Sequence, residues 1–301
     1  MADTISCAVL IVFLVCGSNC RSIVRREVPS VSNGQIVGTV GSHHIVEASG
    51  LAASRQHPGL LYTHNDHGSD AEIFVITKTG HRESTITLTG ITHNDLEDIA
   101  LGPCAAGSAD DCLYIGDIGN AGGHARNNVY RVREPSDLQH DTTIHVSDKD
   151  KLEFKWNETD SETIMVDPNA NLYIISKAPN GRGIIAQLPN SAWGTGNRVA
   201  ISSTAQLNID STHNDPVGGD ISPSGNRVLI KAQESVYYWD VMAEHDYLSV
   251  LQTPGVKLPY IQEPKGQSIC WSADEHGYYT LGEGKDQPLY LYTFTESPIV
   301  G

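Results

Sequence analysis

Basic residues are scarce in this 301-residue chain: 20 Lys and Arg stand against 36 Asp and Glu, a formal charge of −16 with neutral histidines. A surface of that sign repels phosphate backbones and anionic lipid heads, which makes nucleic acid and membranes poor partners. Dissolved divalent cations, basic matrix proteins and mineral surfaces suit it better, although acidity also serves simply to keep a protein soluble. Long apolar runs are missing as well. The one short run, Cys7 to Cys16 (CAVLIVFLVC), is followed by the small residues Gly17 and Ser18. It is too short to span a bilayer comfortably. Its make-up is that of a secretory signal peptide, even though Asp3 is the only charge ahead of it. The expectation is a secreted, extracellular protein, with residues 1–18 as signal peptide (cleavage as late as 20), 19–34 as an N-terminal extension and 35–301 as one domain.

Cysteine is sparse, with six in all, and no spacing among them resembles a zinc site. Cys104 and Cys112 bracket a short polar loop, and in an oxidising compartment they are expected to form a local disulfide. Cys270 lies between Ile269 and Trp271 and reads as a buried free thiol, with a bridge to Cys20 as the weaker alternative. There is no G-x-S-x-G elbow, which together with the strand-rich pattern excludes a serine hydrolase of the α/β type. There is no EF-hand loop either. Asn157-Glu158-Thr159 is a glycosylation sequon.

Helical periodicity is nearly absent; short strand-like runs separated by Gly, Asn, Asp and Pro take its place. Aligned, they form a four-strand repeat. The first unit reads SGLAAS (49–54), LLYTHND (60–66), EIFVITK (72–78) and ESTITLTG (83–90). The second runs from LEDIALG (96–102) to an outer strand KLEFKW (151–156), and the third from SETIMVDP (161–168) to RVAISSTAQL (198–207). The fourth runs from GGDISPSG (218–225) to LSVLQTP (248–254). The fifth begins at GQSICWSAD (266–274) and lacks a fourth strand, while an unassigned strand, QIVGTVGS (35–42), precedes the first unit. That arrangement predicts an all-β fold: a β-propeller of five blades, closed by an N-terminal strand. Six blades is the alternative, if 136–150 or 190–215 hides a further unit. Trp156, Trp239 and Trp271 are expected to pack between blades.

The word Thr-His-Asn-Asp occurs three times, ending at Asp66, Asp95 and Asp215. It marks the repeat. Its histidines, His64, His93 and His213, share no spacing to a second His and read as surface turn residues. The strand ends place a coherent set of polar residues at one mouth of the channel. Blade one offers Asp66, with Glu47 just ahead, and blade two Glu97, Asp98, Asp117 and Asn120. Blade three offers Glu162 and Lys177, blade four Asp220 and Lys231, and blade five Gln267 and Glu283. Crowded carboxylates raise one another's pKa unless a cation neutralises them. Hard oxygen donors suit Ca²⁺ first, Mg²⁺ or Mn²⁺ second. The expected metal set is therefore Asp66, Glu97, Asp98, Asp117, Glu162, Asp220 and Glu283. The plainer reading makes the same residues turn formers and hydrogen-bond acceptors between blades.

SGLAASRQHPGLLYTHNDHG, NDLEDIALGPC, LYIGDIGNAGGHARNNVYRV, LYIISK, DISPSGNRV and LGEG together resemble a family of secreted, largely uncharacterised propeller proteins best known from bacteria. These are described as WD40-like or NHL-like, and are distantly similar to propellers with an esterase-like phytase domain. The resemblance covers nearly the whole mature chain. It implies a propeller, puts the family's acidic positions on the same seven carboxylates, and brings no settled activity. Where the family tends to have Gln-Gly-Glu-Ser, this chain reads Lys265-Gly266-Gln267-Ser268, one carboxylate fewer. Two functions remain. One is a Ca²⁺-binding extracellular binding or matrix module. The other is a metal-assisted hydrolase of phosphoesters or other esters. There Asp117 or Glu162 would be the general base, and Lys177 and Lys231 would hold a small anionic substrate.

Overall fold

The computed structural model describes residues 30–68, 70–123, 126–241 and 246–295. The expected signal peptide, its cleavage region and Cys20 lie outside the described residues. Five antiparallel sheets stand round an axis as the blades of a propeller. Blade one is Ala48–Ala53, Leu60–Asn65, Glu72–Thr77 and Arg82–Thr89. Blade two is Leu96–Pro103, Asp111–Asp117, Asn128–Arg133 and Lys151–Lys155. Blade three is Ser161–Val166, Leu172–Ser176, Ile184–Gln187 and Thr204–Gln206, and blade four Gly218–Ile221, Arg227–Ala232, Ser235–Asp240 and Val256–Leu258. Blade five is Gly266–Trp271, Gly277–Gly282 and Gln287–Thr295, completed by Gln35–Val40, which pairs antiparallel with Gln287–Leu291. The ring thus closes as the repeat predicts. A short pairing of Ser30–Val31 with Phe294–Thr295 extends it.

The irregular stretches hide no sixth unit. Thr142–His145 runs parallel to Ile86–Thr89 as a fifth strand on blade one. Val199–Ala200 does the same beside Phe154–Lys155 on blade two, so the expected outer strand 198–207 is shared between two blades. The expected outer strand 248–254 is corrected too. Tyr247–Val250 is one helical turn, because Asp246 caps it by accepting from the Ser249 amide (3.0 Å). The outer strand follows at Val256–Leu258.

Strand residues point alternately to the two faces of a blade, and every blade has a neighbour on each side, so both faces are apolar. In blade two Ile99, Leu101, Leu113 and Ile115 pack on blade one, whereas Ala100 and Tyr114 pack on blade three. Five such clusters fill the five gaps. Trp156, Trp239 and Trp271 each belong to a different one, between blades two and three, three and four, and four and five. Cys104 and Cys112 form the expected disulfide, with Cα atoms 4.9 Å apart, across the hairpin that joins the first two strands of blade two. Cys270 is a buried free thiol between blades five and one.

Candidate metal centre

The inner strands do not run straight to the channel mouth. In four of them the pairing with the second strand slips by one residue near its start, at Ala48/Gly50, Leu96/Asp98, Ser161/Thr163 and Gly266/Ser268. Each slip is a bulge, which leaves one residue unpaired and re-aims its side chain. The bulged residues are Ser49, Glu97, Glu162 and Gln267, so one backbone device places four polar groups at equivalent positions. Blade four lacks the bulge: Gly218–Ile221 stays in register. There Gly218 is held to a hydrogen side chain, because a Cβ would fall 2.5 Å from the Gln267 carbonyl oxygen.

Around this ring two carboxylate triads form, each with ligand atoms within 4.8 Å of one another: Asp66, Asp95 and Glu97, and then Glu97, Asp160 and Glu162. Glu97 belongs to both. Glu97 and Glu162 are only 4% and 5% exposed, and the Oε2 atom of each has no hydrogen-bond partner. Asp95 is buried as well, and its Oδ2 accepts from the Ala121 amide (2.6 Å). Gly119 lies against this pair so closely that a Cβ there would sit 2.0 Å from Glu97 Oε1 and 2.3 Å from Asp95 Oδ2. Burial and the neighbouring charges of Glu162, Asp66 and Asp95 push the Glu97 carboxyl up to about 12. Burial also raises Asp95. It raises Glu162 to about 7, against the pull of Lys177, whose ammonium pairs with Glu162 Oε1. Burial opposes the Lys177 charge, but the surrounding carboxylates outweigh it and raise its pKa.

Of the seven carboxylates expected to bind metal, Asp66, Glu97 and Glu162 are the ones brought together here. Asp117 lies just behind. Its Oδ1 accepts from the amides of Asn94 and Asp95 (2.9 and 3.0 Å), so it positions the turn that carries Asp95. Asp98 is turned between blades, accepting from the Ile99 amide (2.8 Å) and from the Ile164 amide of blade three (3.0 Å). Asp220 has the equivalent role between blades four and five, accepting from the Trp271 amide (2.9 Å). Both follow the plainer reading of inter-blade acceptors. Glu283, at the rim, pairs with the exposed Lys265 (3.0 Å). Lys231 is wholly buried: its Nζ is 2.7 Å from the Tyr260 hydroxyl and 3.8 Å from Glu263 Oε2, and burial draws its ammonium down to about 8. It faces no substrate in the mouth.

The histidine reading is corrected at one position. His64 is 1% exposed inside a strand, with Nδ1 2.9 Å from the Asn65 carbonyl oxygen, and burial lowers its pKa, keeping it neutral. His213, half-buried, lies 3.0 Å from Glu234. Asp95 and Asp160 were missed as site residues. The missed signal was the third repeat of one position, two residues ahead of each bulge: Glu47, Asp95 and Asp160 stand there before Ser49, Glu97 and Glu162.

The architecture is that of a five-bladed β-propeller with an acidic mouth. Comparison with family models and with curated proteins gives no match. Among solved structures the chain is similar to a luciferin-regenerating enzyme, at TM-score 0.50 and 11% identity over 89% of this chain and 96% of that one. The PQQ-bound aldose sugar dehydrogenase of Streptomyces coelicolor superposes at TM-score 0.48 and 12% identity, over 89% of this chain and 100% of that one. At such identity the likeness concerns the fold alone. The resemblance read from the sequence motifs is thus supported at the level of the propeller.

Proposed function

We propose that the mouth of this propeller binds a divalent cation, Ca²⁺ in preference to Mg²⁺ or Mn²⁺, and that the protein works as a secreted Ca²⁺-binding module of the extracellular space. The observation that carries this reading is the pair of orphaned carboxylate oxygens, Glu97 Oε2 and Glu162 Oε2, buried within a group of five acidic residues. Buried carboxylates without donors are costly unless a cation or a proton neutralises them. The all-oxygen donor set, drawn from loops and bulges, fits the larger and less geometrically strict Ca²⁺. An affinity of about 10⁻⁴–10⁻³ M would match the range of extracellular Ca²⁺ modules. Secretion and glycosylation at Asn157, an exposed loop residue, belong to the same proposal, as does a matrix or mineral surface as partner. Calorimetric titration of the metal-stripped protein with Ca²⁺ is expected to give heat and to raise the melting temperature; neither effect appearing would overturn the assignment.

One observation favours a second reading, a metal-assisted hydrolase. The Glu162 carboxyl, near 7 and paired with Lys177, suits a general base beside an anion-holding ammonium. A panel of phosphoester and carboxylester substrates with added Ca²⁺, Mg²⁺ or Mn²⁺ tests it. Activity that is absent from the panel, or that survives Glu162→Gln, removes it.

A further inference from the structure

The two triads are not equivalent. Lys177 stands within the second. Its ammonium pairs with Glu162 Oε1, and its charge also acts on Asp160 and Glu97, which are the other two members. Its backbone is tied there too, since the Lys177 amide donates to the Asp160 carbonyl oxygen (2.9 Å). The side chain is only 17% exposed, so the ammonium is held inside the group rather than in solvent. Among the described residues, the first triad, Asp66, Asp95 and Glu97, has no lysine seated within it in this way. Lys265, on the blade-five side, is 75% exposed and gives its ammonium to Glu283 at 3.0 Å. Exposed His67 approaches Asp95. Lys177 answers Glu162 Oε1 and leaves Glu162 Oε2 unpartnered, and the shared residue, Glu97, likewise keeps its Oε2 unpartnered while 4% exposed, the mark of a group shaped for a donor or an ion that the protein itself does not supply.

We propose that Lys177 is a built-in cation filling the second triad, so that the mouth takes one divalent ion, seated in Asp66, Asp95 and Glu97. This rests on the cation-binding reading above and deepens it. A lysine ammonium and a divalent ion are alternatives for the same oxygens, and a tethered ammonium needs no supply from solution. Removing its charge while keeping its aliphatic stem leaves Glu97, Asp160 and Glu162 to a second ion. A guanidinium in its place keeps the triad filled.

The experiment is Ca²⁺ stoichiometry on the full chain, by calorimetry and equilibrium dialysis, with folding checked by circular dichroism. One ion per chain is expected for the wild type and for Lys177→Arg, and two for Lys177→Met. Lys177→Gln serves as the second neutral variant if Lys177→Met does not fold. Two ions in the wild type overturn the built-in cation while leaving Ca²⁺ binding intact. One ion in the folded neutral variant overturns it equally. No binding in any form overturns the parent reading as well.

Discussion

Ser49 has one hydroxyl proton and two acceptors in reach: the Glu97 carbonyl oxygen at 2.7 Å and the Gln267 side-chain oxygen at 2.9 Å. A hydroxyl donates once, so the network is satisfied only when Gln267 turns its NH₂ toward Ser49 Oγ. That gives a physical reason for an amide at this position. Gln267→Glu sets two acceptors against one proton. Leaving a partly buried acceptor unsatisfied costs about 1–3 kcal/mol, which is the expected loss in a urea unfolding curve. Gly119 offers the sharper test. An alanine Cβ there would strike Glu97 Oε1 and Asp95 Oδ2 at 2.0 and 2.3 Å, so Gly119→Ala is expected to weaken Ca²⁺ binding at least tenfold, on the order of 1.4 kcal/mol. Retained affinity in a calorimetric titration would place the ion elsewhere. At this scale the sequence was partly readable. Asp66, Glu97 and Glu162 could be named because strand ends recur. Asp95 and Asp160 were not, although they hold one repeated position, because only the three-dimensional bulge shows that residues two apart share one pocket.

The bulges set the division of labour along each inner strand. In blade two Glu97 is the extra residue and is turned to the mouth; Asp98, next in line, is turned into the seam with blade three. Adjacent carboxylates in one sequence word thus have separate tasks, one open to a ligand and one binding blades together. A sequence pattern of strand ends cannot separate them, since a one-residue slip reverses every side chain. Asp220, which ties blade four to blade five, gives a pH-dependent prediction. Burial raises its carboxyl to about 7 from 3.8. Between those values the folded chain holds the proton more than the unfolded chain does, so this group's contribution to stability falls as pH rises from about 4 to 7. Asp220→Asn keeps an acceptor for the Trp271 amide and removes the titration. Its melting temperature should therefore fall less than that of the wild type between pH 4.5 and 7.5. Parallel curves for the two proteins would rule this out.

Across the whole molecule, stability comes from five seams rather than one centre, and each seam needs both of its blades. The repeat made this architecture legible: the missing fourth strand of the last unit and the spare strand before the first announced closure. The edge strands were not legible. Thr142–His145 and Val199–Ala200 join earlier blades in parallel, a long-range choice that local pattern does not encode. Closure by Gln35–Val40 should govern cooperativity. A chain beginning at residue 41 exposes the edge of Gln287–Leu291 and removes Val40 from the cluster it shares with Leu289. It is expected to unfold in a broad transition well below the wild-type temperature, and to self-associate through the open edge in size-exclusion chromatography. A single sharp transition at the wild-type temperature would show that the ring holds without its clasp.

The clasp also has a consequence during biosynthesis. Gln35–Val40 leaves the ribosome long before the strand it pairs with, which starts at Gln287. At about 5–20 residues per second the first strand waits roughly ten to fifty seconds for the last. Blades one to four can assemble as they emerge, but the nascent chain carries an unmatched edge until Gln287–Leu291 has been made. The ring closes only once that strand has been made, and translation products that stop short of it should be prime clients for chaperones.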